Sequence, residues 1–183
     1  TMTRASTAWI NAARALIVVL AVLNAYRAAT QSITADEAFT YNHFAAAPLQ
    51  EAVRFYDANN HVLNSALIRL STALFGLSEF TVRLPSLLGG ALYLVLALRL
   101  SRLLFGRGPA VFFSVALLGL NPFVLDYLSA ARGYSMALAF LLAALDQMVR
   151  YLMEGGRPRL YRAALALALA VVSNLAFAVP GAA

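Results

Sequence analysis

Long apolar runs, each closed by a few polar residues, dominate this chain. A membrane-crossing helix needs about 20 mostly apolar residues. Five stretches meet that length: residues 12–29, 84–103, 109–128, 134–153 and 163–179. Between the first two lies a long polar and aromatic segment, residues 30–83. The pattern predicts an all-α integral membrane protein. It has about five spans, with short amphipathic helices lying at the interface in the first loop.

Within that loop, Thr34-Ala35-Asp36-Glu37 reads as a helix start, with Thr34 as N-cap and Glu37 in the capping-box position. This helix is expected to run to about Ala47, before Pro48, and a second from Pro48 to about Tyr56. Residues 61–76 are too short to span. Wound as a helix, they place Val62, Leu63, Ala66, Leu67, Leu70 and Leu74 on one side. His61, Asn64, Ser65, Arg69 and Thr72 fall on the other, the pattern of a helix resting at the interface. The first run resembles a signal peptide in length, but Tyr26-Arg27 stands where small cleavage-site residues belong, so it reads as an uncleaved anchor.

Composition agrees. Hydrophobic residues make up 62% of the chain, charged residues 12%, and mean hydropathy is +0.74; soluble domains carry roughly twice that charge. The net charge of +6 comes from 14 Arg and no Lys. These flank apolar runs and form no single basic face, which argues against nucleic-acid binding. With no Cys, disulfide and thiolate chemistry are excluded. Charge also sets orientation. With five spans and the N-terminus inside, nine Arg fall on the inner segments, while six of the eight acids fall on the outer ones. The positive-inside bias then puts residues 30–83 and the Asp126–Gly133 turn outside.

Acids and histidines beside a span are costly to place and mark candidate sites. Asp36 and Glu37 point about 100° apart on a helix, so at most one faces a given substrate atom. Capping and dipole interactions would account for both without catalysis. Asn60 and His61 head the amphipathic helix. His61 with Asp36 or Glu37 could ligate a divalent metal, though the spacing is unconstrained. Arg83 and Arg132 share the outer face, where headgroup snorkelling and bidentate phosphate binding are both open readings. Asp146 and Arg150 form an i,i+4 pair near the inner end. Asn24, Ser173 and Asn174 are expected to bond between helices, and Ser86, Gly89 and Gly90 to mark close helix packing.

Taken in order, a set of short sequences forms a pattern: Ala35-Asp36-Glu37-Ala38-Phe39, Asn59-Asn60-His61-Val62-Leu63, Val82-Arg83-Leu84-Pro85-Ser86, Asn121-Pro122-Phe123 and Ala131-Arg132-Gly133-Tyr134. The set resembles the N-terminal part of GT-C-fold membrane glycosyltransferases. It looks like the bacterial relatives of the dolichyl-phosphate-mannose–protein mannosyltransferases, which also resemble the aminoarabinose transferases. The resemblance implies an inverting enzyme of the bacterial inner membrane, a multi-pass protein with its active loop outside. Its donor would be a polyprenyl-phosphate-linked sugar. Asp36 would be the base that deprotonates the acceptor, with Glu37 as its support or a metal ligand. Arg83, Arg132 and Tyr134 would bind substrate, with His61 and Asn60 beside them. Many family members have His-Pro-Pro where this chain has His61-Val62-Leu63. The family pattern also implies more spans and a second loop beyond Ala183, and the chain is expected to be the N-terminal portion of such a protein. The resemblance fixes no cofactor, leaving a divalent metal as an open requirement. The alternative is a non-catalytic membrane module, either a lipid-carrier-binding subunit or part of a transporter.

Overall fold

The computed structural model describes residues 2–48, 50 and 60–178, with side chains from residue 6 onward. The expected second loop helix, Pro48 to about Tyr56, lies largely outside the described residues. Among them the chain is all helical, in the order α1 (Met2–Thr30), α2 (Ala35–Thr40), a π-helical turn (Tyr41–Ala45), α3 (Val62–Phe75) and α4 (Glu79–Phe105). There follow α5 (Pro109–Gly119), α6 (Pro122–Ser129), α7 (Tyr134–Glu154), α8 (Arg157–Ser173) and a 3-10 turn (Leu175–Phe177). α4 lies at the centre, packing against α1, α3, α5, α6 and α7, and α8 covers α7.

Among the described residues three helices are long and apolar enough to cross a membrane: Ser6–Thr30, Glu79–Phe105 and Tyr134–Glu154. The third expected span is instead a pair, α5 and α6, bent by 65°. The break has a local cause. Pro122 cannot donate a backbone hydrogen bond, and the Asn121 side chain caps the new helix by accepting from the Phe123 amide at 3.0 Å. Counted as one span, the pair makes four. The expected fifth is α8, which has 17 residues and falls short of the spanning helices. Asn174, in extended conformation, stops it and caps the following turn through the Ala176 amide.

The interior combines apolar packing with small residues. Leu20, Tyr93, Leu94, Ala97, Leu100, Leu128, Ala139 and Leu142 form one cluster. A Cβ built on Gly89 would stand 2.6 Å from Met136, and one on Gly90 would stand 2.9 Å from the Leu128 carbonyl oxygen. The small residues of α4 are therefore needed for close approach. Large apolar side chains such as Val18, Val22, Leu88, Leu117 and Leu152 face outward, as suits a lipid surround. α3 follows the same logic: Asn64, Ser65 and Ser71 are buried against the bundle, while Val62, Leu70, Leu74 and Phe75 are exposed. The expectation of bonds between helices fails for Asn24 and Ser173. Each donates to a carbonyl four residues earlier in its own helix, Leu20 and Leu169.

Candidate functional site

The polar residues of the first loop meet the N-terminal ends of α4 and α7 at one end of the bundle. The predicted capping box is present: Thr34 Oγ1 accepts from the Glu37 amide at 3.3 Å, and Glu37 accepts from the Thr34 amide at 2.9 Å. The Glu37 side chain does more than cap. Its Oε1 accepts from Arg83 Nε and from the Ala131 amide, both at 2.8 Å. Its Oε2 accepts from Arg83 Nη2 at 2.7 Å and from Thr34 Oγ1 at 3.0 Å. Side-chain exposure is 1% for Glu37 and 4% for Arg83. Burial alone would raise the Glu37 pKa. The Arg83 hydrogen bonds, the Thr34 and Ala131 amides and the Arg83 charge outweigh that and bring it to about 2.

Arg83 is fully engaged. Besides Glu37, its Nη1 donates to the carbonyls of Ala28 and Gln31, and its Nη2 to that of Ser32. All five guanidinium N–H groups therefore have partners. As placed, Arg83 ties the end of α1 and the following loop to α4. Both Glu37 oxygens likewise accept from N–H and O–H donors, so as placed Glu37 holds the loop. Among the described residues no group of three or more His, Asp or Glu is arranged to hold a metal ion.

Asp36 faces the other way, as expected for neighbours on a helix. Its side chain is 50% exposed, and Oδ2 lies 3.0 Å from Arg132 Nη1. The Arg132 guanidinium sits 5.5 Å from the centre of the Tyr134 ring, within reach of a cation–π interaction. Tyr134 stacks on Tyr127 at 4.2 Å and lies 5.6 Å from the His61 ring. His61 and Asn60 are both buried. Asp36, Arg132, Tyr134, Tyr127 and His61 thus form a polar and aromatic cluster with the carboxylate at its open side.

The segment carrying Arg132 is held tightly. Ala131 donates its amide to Glu37, and its carbonyl accepts from Asn64 Nδ2 at 3.1 Å. Gly133 then turns the chain with φ +70°. A Cβ there would strike the Ser173 carbonyl and approach His61 Cβ to 3.0 Å and Asn64 Cβ to 3.3 Å. Only glycine fits between α3 and the end of α8 while sending Arg132 and Tyr134 into the cluster. Sequence reasoning did not single out Tyr127, nor Asn64 as the support of Ala131. Both lie at spacings that carry no motif. It also missed the ion pair between Arg27 and Asp126 at the same end.

Comparison with known proteins decides the family. Residues 59–183 match the family described as dolichyl-phosphate-mannose-protein mannosyltransferase. The chain belongs to that family. Neither the curated proteins nor the solved structures yield a match to it. The mannosyltransferase segment includes Asn60, His61, Arg83, Arg132 and Tyr134, while Asp36 and Glu37 lie just before it. The chain is therefore a membrane protein of a glycosyltransferase family, one that implies a lipid-linked sugar donor.

Proposed function

We propose that this mannosyltransferase-family chain serves inverting glycosyl transfer. Its donor is a polyprenyl-phosphate-linked sugar, and it acts at the extracytoplasmic face of the bacterial inner membrane. The observation that carries the reading is the half-exposed Asp36 carboxylate beside Arg132, over an aromatic floor. The sidedness rests on the Arg distribution, nine inner against five outer, under the positive-inside bias.

The chemistry follows from that pair. An acceptor hydroxyl attacks the anomeric carbon. The bond from that carbon to the phosphate oxygen breaks, its electron pair leaving with the phosphate, and the hydroxyl proton passes to Asp36. In the resting site Arg132 neutralises Asp36. An incoming donor phosphate competes for the guanidinium through charge-assisted bonds, which leaves the carboxylate free as a base. Arg132 then stabilises the charge that grows on the leaving phosphate. The Tyr134 and Tyr127 rings offer flat faces against which a sugar ring can lie. Glu37 and Arg83 act as positioning residues: they hold the loop and the Ala131 amide so that Asp36 and Arg132 meet. One displacement inverts the anomeric configuration.

In the full-length protein, supplied with a polyprenyl-phosphate sugar, Asp36→Asn should lower transfer by about 10²–10⁴-fold. Membrane insertion and elution should stay unchanged. Near-normal turnover would overturn the assignment.

A further inference from the structure

At the opposite end of the bundle lies a cavity of about 600 Å³ that the transferase reading does not use. Five arginines line it: Arg14 from α1, Arg99 and Arg102 from α4, Arg107 from the following turn and Arg150 from α7. We propose that this cavity is a binding site for a phosphate-bearing anion, in the first instance the headgroup of an acidic membrane phospholipid.

The charge balance is the first argument. The acid bonded within this cluster is Asp146, which is 1% exposed. It pairs with Arg99 at 3.0 Å and with Arg150 at 2.9 Å. Five cations against one anion leave +4 around a concave space. Arg14 makes a long bond to Asn11, at 3.4 Å. Among the described residues Arg102 and Arg107 have no acidic partner within salt-bridge distance, and both are exposed. Guanidinium forks converging from several elements match the oxygens of a phosphate.

Depth and lining argue for a lipid. Arg83 and Arg102 are separated by about 28 Å along α4 at the helical rise of 1.5 Å per residue. That is close to the roughly 30 Å of a bilayer's hydrocarbon core. With Arg83 at one boundary, the cavity sits at the other, at headgroup level. Its remaining wall includes Val95, Leu98 and Leu103, an apolar side along which acyl chains can continue. The volume falls within the range of about 300–1,000 Å³ typical of small-molecule pockets.

The test uses the full-length protein, purified and then re-lipidated with defined mixtures of phosphatidylglycerol and phosphatidylcholine. Retained lipid is counted by native mass spectrometry. The expected result is preferential retention of phosphatidylglycerol. Arg102→Gln with Arg107→Gln should weaken it by about tenfold or more. The control pair Arg157→Gln with Arg162→Gln, exposed on α8, should leave retention intact. Displacement of the phosphatidylglycerol by millimolar inorganic phosphate would support the phosphate site and name a soluble source. Equal retention of both lipids, or equal loss in the two variant pairs, would overturn the proposal.

Discussion

Glu37 accepts the amide hydrogen of Ala131 at 2.8 Å across 94 residues, and Ala131 directly precedes the Arg132 that pairs with Asp36 at 3.0 Å. Two adjacent acids therefore act on adjacent positions of a distant turn. The buried one fixes the backbone, and the open one meets the side chain. This division separates what each substitution should do.

Glu37→Gln should be a stability variant. It leaves the nearly buried Arg83 guanidinium without its counter-charge while changing little volume. Breaking one partner of a buried ion pair costs about 3–5 kcal/mol. Thermal unfolding in detergent should show that loss, and the Glu37→Gln, Arg83→Gln double variant should lose less than the sum of the two singles. Additive losses would mean that the pair does not couple.

The same carboxylate sets an acid limit. The folded-state pKa of Glu37 is depressed from 4.5 to about 2. A depressed carboxylate contributes stability that is fully present above the unfolded pKa and is lost as pH falls through the folded one. The contribution, on the order of 3 kcal/mol, should hold at pH 5–8 and decline between about pH 4.5 and 2. Unfolding midpoints measured down this window should fall more steeply for the native protein than for Glu37→Gln. Parallel curves would refute the assignment.

Much of this was legible in the sequence, and the exceptions have physical causes. Thr34 and Glu37 announce the capping box because it is a four-residue pattern. Gly89 and Gly90 announce close packing because small residues repeat on an apolar helix. The partners of Glu37 were not legible, since Arg83 and Ala131 reach it through tertiary folding alone. An arginine at the start of a span reads equally well as a phosphate ligand or a strut, and the carbonyls that its N–H groups reach are brought to it by tertiary folding alone. The break at Pro122 was hidden by continuous hydropathy: residues 109–128 are apolar enough to span, and hydropathy does not register a missing amide. The arginines lining the far cavity scatter through three helices and a turn, so no linear pattern shows that they converge.

Gly133→Ala should disrupt the site without touching its chemistry. The backbone there has φ +70°, and the added methyl would collide with the Ser173 carbonyl. Holding a side chain in that region costs about 1–3 kcal/mol before any clash. The variant should unfold at lower temperature and lose transfer activity together, whereas Gly76→Ala, with the same sign of φ but open space around it, should lose stability alone. A Gly133→Ala protein with native stability would mean that α3 and the end of α8 separate easily at this point.

Arg132 should behave in the opposite way. Its ion pair with Asp36 is partly exposed, 29% and 50%, and such pairs contribute about 0–1 kcal/mol. Arg132→Gln should therefore leave the unfolding temperature nearly unchanged. If the guanidinium stabilises the leaving phosphate, turnover should fall by about 10²–10³-fold, the scale for removing one charge-stabilising donor. Arg132→Lys keeps the charge but loses the planar fork and its place over Tyr134, so it should restore activity only in part. A change confined to KM, with kcat intact, would instead assign Arg132 to donor binding. Equal activity in all three proteins would remove it from the reaction and leave it as a surface partner of Asp36.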